Sequence, residues 1–536
     1  MKETIKKFRY TSFVWVPILL AWILSFCPIE LIGFAGGEVY GHAWGHWWHL
    51  QDIPSSLYQT DWTSHTQNFP LIDVLPTIIS NLFGVFDIAF GYNCMAIFSV
   101  MLCFYGGYRL AISQEGNGVV GGLVLCASPI FWGSINSGLT EDFGLGLVAL
   151  VFAHFCSPHT HTKKWWLGAL LVSGMAWWGL VLGWMGAVGV ATAITIHILC
   201  YSKNRLDTQT MLQNIVIETR LLFVCFVFSI PLLWLHWDRL WQRGHRFGTH
   251  NLEHNALWML NPWKHNDIAS MFYAFPQEYG NEIIRLHPSY LGGIAFGVAL
   301  FSKTKQKMLW WILFAVIVLL SCGETLYFMG MNTDIPNPIA YIYSFLPGYA
   351  LLNHHGRWMP IALVPFAVLI STSTWSTNKY IIGAIVLEWW TISPMGFPFM
   401  GTPPMKDSQV LQQLATHSST IDTTDRIVRL PIVGPGVSFQ QALWEQHVHQ
   451  RKLWLHPNRP NLANYIPLST RSEFLEKIAF TKTLPADFCF PTQITGLLVT
   501  RDIHMVLLPT LDKPIWEDER YAFWSTQELQ PFYCVD

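Results

Sequence analysis

The chain reads as an all-α polytopic membrane protein with a small C-terminal α/β domain outside the cytoplasm. Three observations carry that expectation. Of 536 residues, 51% are hydrophobic and only 12% charged, and the mean hydropathy is +0.31; a soluble globular protein carries roughly 25% charged residues. Apolar runs that can cross a bilayer as helices, which takes about 20 residues, recur as far as residue 400. Lysines and arginines cluster at alternate connections between those runs, as the positive-inside rule requires of one cytoplasmic face. The formal net charge of −2 excludes nucleic acid as a partner, since that needs a basic field.

Taken in order, the first run follows a basic start, "MKETIKKFRYTSFVWVPILLAWILSF". It is long and lacks a small-residue cleavage site, so it reads as an uncleaved helix rather than a signal peptide. Crossings are expected near 12–33, 88–108, 117–134, 143–158, 165–183, 185–200, 221–236, 288–302, 308–326, 358–374 and 380–398, about eleven in all. The segment 71–87, apolar but short and interrupted by Pro76, reads as an interfacial or re-entrant helix. Lys2, Lys6, Lys7 and Arg9 precede the first crossing. Arg109, Lys163/Lys164, Lys203/Arg205, Lys303/Lys305/Lys307 and Lys379 each follow an even-numbered one. The N-terminus is therefore expected in the cytoplasm of a plasma (inner) membrane. The loop 34–87, the connection 237–287, the loop 327–357 and everything after about 400 are expected outside.

Residues 1–401 form the expected membrane domain and 402–536 the outer domain. In the latter, "DRIVRLPIV" and "TGLLVTRDIHMVLLPT" have strand composition, while "DSQVLQQLAT" and "SEFLEKIAF" have helical periodicity. Eight of the ten cysteines lie in or beside apolar runs without a metal-binding spacing and read as small core residues. Cys489 and Cys534 fall in the polar region, where an oxidising compartment permits a disulfide.

Chemistry-bearing residues concentrate on the outer side. In "GGEVYGHAWGHWWHLQDIP", Glu38, His42, His46 and His49 share one face if the stretch is helical. Trp44, Trp47 and Trp48 lie elsewhere on the turn, as an interfacial anchoring belt would. A carboxylate beside histidines binds a divalent cation or serves as general base, which makes Glu38, His42 and His46 candidate ligands for Mg or Mn. The alternative is that the histidines are hydrated and Glu38 merely meets a helix N-terminus. In "INSGLTEDFGLG", Glu141 and Asp142 open the fourth crossing, either as helix caps or as part of an inward-facing acidic site. "LLNHHGRWMP" places Arg357, after His354 and His355, at the entry to the tenth crossing. Its guanidinium either snorkels to the headgroups or meets an anion such as phosphate. Arg239, Arg243 and Arg246 in "LHWDRLWQRGHRFGTHNLEH" read as a solvated basic face, with phosphate contact by Arg243 and Arg246 as the alternative. No Walker A loop, dinucleotide-binding GxGxxG or nucleophile elbow is present.

These stretches resemble the GT-C class of polytopic glycosyltransferases, which use polyprenyl-phosphate-linked sugars. The resemblance rests on Glu38 shortly after the first helix, the "TDWTSHTQNFPLIDVL" stretch, the "GYN" entry to the next helix, the "SGLTED" turn, "PSYLGG" opening a late helix, and "LPGYALLNHHGRWMPIAL" ending in Arg before a helix. It extends over roughly 10–400. The class implies Glu38 as catalytic base or metal-coordinating acid, Glu141 or Asp142 as its partner, Arg357 as a phosphate contact, and a polyprenyl-phosphate-sugar donor drawn from the membrane lipid; the acceptor is open. The chain departs from the usual pattern in having Glu where Asp is frequent and no paired acids at the first site. Two other functions remain open: a transporter or flippase, for which Glu388 is the main charge within a crossing, and a non-catalytic scaffold of the cell envelope.

Overall fold

The computed structural model describes residues 31–33, 39–51, 59–60, 67–68, 73–85, 87–156, 165–201, 227, 230–231, 290–323, 325–328, 331–349, 355–392, 401–402, 408–416, 426–430, 439–453, 494–500 and 513–529. By their internal packing these fall into two units. One comprises Met1–Leu71, Ser80–Tyr92 and Gly401–Asp536, the other Ile72–Ile79 and Asn93–Met400.

The second unit is helical. Helix Ile88–Ser113, which runs into it, has 26 residues, roughly 39 Å at 1.5 Å per residue. Among the described residues it is the one helix long and apolar enough to cross a membrane by itself. Gly118–Ala127 and Pro129–Ser137 pass that test only together and are bent by 42° at their junction. The bend has a local cause. A residue before proline avoids the α region, and Ser128 takes φ −68° and ψ 146°, with its hydroxyl accepting the Phe131 N–H to start the second helix.

Where the other crossings were expected, the described helices are Leu145–Phe155, Trp165–Trp178, Leu180–Tyr201, Gly293–Leu300, Lys307–Ser321, Met359–Ser371 and Lys379–Ile392. Most are shorter than read from hydropathy. The crossings expected over 12–33 and 221–236 fall almost wholly outside the described residues. At the end of the former, Leu31–Ile32 is a strand paired with Gly401–Thr402.

Helix contacts are backbone-close where glycine permits it. A Cβ on Gly106 would lie 2.3 Å from the Gly146 carbonyl oxygen, and one on Gly107 2.3 Å from that of Gly121. Small residues of this kind are how helices approach one another without a hydrophobic driving force between them. Met359–Ser371 is buried along its whole length. Cys103 and Cys322 are buried; Cys489 and Cys534 lie outside the described residues.

The first unit holds a five-stranded mixed sheet in the order Trp516–Glu517, Tyr521–Ser525, Ile494–Thr500, Arg426–Leu430, Lys452–Leu453. The central pair, Ile494–Thr500 and Arg426–Leu430, is parallel. Helix Phe439–His449 makes the crossover between the parallel strands Arg426–Leu430 and Lys452–Leu453. Helix Val39–Gln51 packs on this crossover helix. Trp44 Nε1 donates to Gln446 Oε1 at 2.9 Å, and Tyr40 stacks on Trp444.

The expected tryptophan belt is therefore corrected. Trp44, Trp47 and Trp48 are all buried, because this helix packs on Phe439–His449, with Trp44 bonded to Gln446 and Trp47 edge-on to His447. The expected helix over "DSQVLQQLAT" is Gln409–Thr416, and the two expected strands are Arg426–Leu430 and Ile494–Thr500. "SEFLEKIAF" lies outside the described residues.

Candidate active site

The chemistry of the second unit gathers at the turn joining helices Pro129–Ser137 and Leu145–Phe155. Gly138 ends the first helix in the left-handed conformation, φ 74°, which only glycine adopts at no steric cost. Leu139 N–H then returns to the Ser134 carbonyl at 3.0 Å, and Asp142 N–H to that of Leu139 at 2.9 Å. Trp178 Nε1 donates to the Thr140 carbonyl at 3.0 Å. The result is a rigid "SGLTED" turn with Thr140, Glu141 and Asp142 all buried.

Each side chain of this turn is committed inward. Glu141 Oε1 accepts from Arg357 Nη1 at 2.5 Å, and both side chains are about 95% buried. Asp142 Oδ2 accepts from the Ser134 hydroxyl at 3.0 Å. Thr140 Oγ1 donates to Asp73 Oδ2 at 2.5 Å, and carboxylate oxygens of Asp73 and Glu141 approach within 4.8 Å of each other. Gly179, at the break between helices Trp165–Trp178 and Leu180–Tyr201, leaves the space; a Cβ there would lie 2.9 Å from that of Glu141.

The helix-cap reading of Glu141 is thereby overturned, since its side chain makes no cap hydrogen bond. So is snorkelling of Arg357, which is itself buried on the 3₁₀ turn His355–Trp358. That turn is anchored by aromatic contacts. Trp184 packs on Trp358 and Tyr349 and donates to the Pro347 carbonyl at 2.7 Å.

Three buried carboxylates, Asp73, Glu141 and Asp142, thus lie on or are bonded to this turn, and one guanidinium, that of Arg357, pairs with Glu141. Two oxygen-donor side chains at this spacing, with formal charge in excess of the single cation, fit a hard divalent ion such as Mg²⁺ or Mn²⁺, which prefers one or two carboxylates plus substrate oxygens.

The sequence missed Asp73. It lies in the quoted "LIDVL" stretch, yet its apolar neighbours and Pro76 made the segment read as merely interfacial. The available signal was an acid placed directly before an apolar helix. Glu38, His354, Arg243 and Arg246 lie outside the described residues, as does the side chain of His355. His42 is half-buried, and His46 is buried in the first unit with its ring 6.0 Å from that of Tyr92. Among the described residues no group of three ligating side chains forms around His46.

Glu388, the main charge within a crossing and so the chief support for a transporter, has a structural task. Its Oε1 accepts from the Tyr290 hydroxyl at 2.9 Å and from Gly293 N–H at 2.8 Å, and its Oε2 accepts from Ile294 N–H at 3.1 Å. It caps helix Gly293–Leu300 across space.

The fold is similar to that of solved glycosyltransferase structures. An arabinofuranosyltransferase, AftD from Mycobacteria, superposes with TM-score 0.54 at 12% identity over 97% of this chain and 41% of its own. A second structure of AftD gives 0.51, also at 12% identity, over 97% and 40%. The chain thus spans about two fifths of that protein's length. ArnT from Cupriavidus metallidurans bound to undecaprenyl phosphate gives 0.43 at 10% identity over 95% of this chain and 97% of its own. No family model matches the chain, and no curated protein sequence is similar to it.

Proposed function

We propose that the protein is a membrane glycosyltransferase that moves a sugar from a polyprenyl-phosphate-linked donor to an acceptor hydroxyl on the extracytoplasmic side of the plasma membrane. The observation that carries this reading is the buried Glu141–Arg357 pair with the Asp73 carboxylate beside it, on the GT-C fold. An acceptor O–H loses its proton to a carboxylate, for which Glu38 is the residue the class resemblance assigns. The oxygen then bonds to the anomeric carbon, and the bond from that carbon to the phosphate oxygen breaks, its electron pair leaving with the polyprenyl phosphate. Arg357 supplies positive charge to that departing phosphate, and Glu141 holds the guanidinium in place before substrate arrives. Asp73 and Glu141 are the residues that would hold a divalent cation, and such an ion supplies charge stabilisation to phosphate oxygens.

The test uses the full chain in lipid nanodiscs with synthetic polyprenyl-phosphate pentoses and hexoses, reading release of polyprenyl phosphate. Glu38→Gln is expected to lower the rate by roughly 10²–10⁴-fold, the usual contribution of a general base, and Glu141→Gln to lower it as well. Wild-type levels of release in both variants, or none from the parent chain across the panel, would overturn the reading. Chelation with EDTA is expected to abolish release and added Mg²⁺ or Mn²⁺ to restore it. Full activity in EDTA removes the cation and leaves Arg357 as the charge that acts on phosphate.

A further inference from the structure

Helix Val74–Gly84, entered from Asp73, is built inside out. Its polar residues Asp73, Thr77 and Ser80, at i, i+4 and i+7, are 3%, 4% and 1% exposed, while Ile78 is 48% and Leu82 67% exposed. A helix on a water-soluble protein shows the opposite arrangement. Here the outer face suits lipid and the inner face a polar interior. Pro76 fits because it falls in the first turn, where a missing N–H has no intrahelical partner to lose.

On that inner face Thr77 is unusual. Its Oγ1 is buried and has no hydrogen-bond partner. A helical threonine ordinarily returns its hydroxyl to the carbonyl four residues back, as Thr372 does to Val368 at 2.7 Å; Thr77 makes no such bond, although the Asp73 carbonyl accepts its N–H at 3.0 Å. A buried polar group left unsatisfied is rare and points to something that satisfies it. Thr77 follows Asp73 by one helical turn on the same face, about 6 Å along the axis, and Asp73 is the acid joined through Thr140 to the Glu141 turn.

We propose that the Thr77 hydroxyl binds a ring hydroxyl of the donor sugar. The inference rests on the glycosyltransferase reading and names a binding residue for it. The choice of ligand follows from valence: the phosphate is the partner of Arg357, whereas a neutral hydroxyl both donates and accepts, matching the two capacities of threonine.

The experiment measures thermal shifts of the full chain in detergent with three probes: bare polyprenyl phosphate, the polyprenyl-phosphate sugar, and the same lipid bearing single-deoxy sugars. The sugar-bearing lipid is expected to raise Tm further than bare lipid, and one deoxy sugar to lose most of that increment. Thr77→Val, nearly isosteric, should bind the intact sugar lipid roughly tenfold more weakly, the scale of one neutral hydrogen bond, and should no longer distinguish that deoxy sugar. Thr77→Ser should restore both. Thr77→Val is also expected to raise Tm without ligand, because the unsatisfied hydroxyl is gone. Equal affinity of Thr77→Val and wild type for the sugar lipid overturns the proposal. So does a wild-type chain that does not separate the sugar lipid from bare lipid. Binding that depends on Thr77 without any transfer overturns the glycosyltransferase reading alone; transfer with normal donor affinity in Thr77→Val overturns the Thr77 assignment alone.

Discussion

At the scale of single residues, the pair between Glu141 and Arg357 is the strongest commitment in the second unit. Two desolvated charges are tolerated only because each neutralises the other, so removing one strands its partner. Arg357→Ala is expected to destabilise the protein by about 3–5 kcal/mol. The double replacement with Glu141→Ala should recover a large part of that, giving a clear coupling energy in a double-mutant cycle read by thermal unfolding. Additive losses would mean the pair is incidental. Glu141 and Arg357 were both legible in the sequence, since a charge beside an apolar run is conspicuous against its background. Asp73 was not. Nothing in its neighbours signals that Thr140, 67 residues away, reaches its carboxylate, and only three-dimensional packing supplies that contact.

At the scale of elements, two arrangements make opposite demands on charge. Helix Gly293–Leu300 has no side-chain cap of its own, since Gly292 occupies the cap position, and Glu388 satisfies its first N–H groups from another helix. Glu388→Ala is expected to cost about 1–2 kcal/mol of stability while sugar transfer by the folded protein continues; abolished transfer with unchanged Tm would return Glu388 to the functional residues.

In the first unit, the helix pair Val39–Gln51 and Phe439–His449 buries histidines in their neutral form. Burial holds His46 well below its usual pKa, with His42 and His49 adding repulsion. Burial, then His447 and Arg451, press His449 down to about 3 from 6.5. The folded state therefore binds fewer protons than the unfolded one. Its full stability is present above about pH 6.5 and is lost as pH falls toward 3. Tryptophan fluorescence of the full chain should report loosening of this pair in that window, and a signal unchanged down to pH 3.5 would contradict it. The tryptophans were misread for a related reason. Periodicity places them on the turn, but only the crossover helix shows that protein rather than headgroups covers them.

At the scale of the whole molecule, hydropathy predicts a helical protein up to residue 400, and the second unit is helical. Lengths were less legible. Apolar composition runs past helix ends set by backbone events such as Ser128–Pro129, Gly138 and Gly179, which a hydropathy average smooths over. Nor did the sequence reveal that the first loop helix packs on residues 439–449, some 400 positions later. A chain truncated after residue 400 is accordingly expected to keep the second unit protease-resistant while residues 39–51 become cleavable, because Trp44 and Tyr40 lose Gln446 and Trp444. Equal resistance of both regions in limited proteolysis would argue that the helix stands without the sheet.

The neighbouring glycines Gly106 and Gly107 touch two different helices, one through Gly146 and the other through Gly121. A slip of helix Ile88–Ser113 by one position would drive Tyr105 or Tyr108 into a gap sized for hydrogen alone. The scaffold around the "SGLTED" turn is therefore ratcheted rather than sliding, and any motion beside it has to come from elsewhere than these two seams.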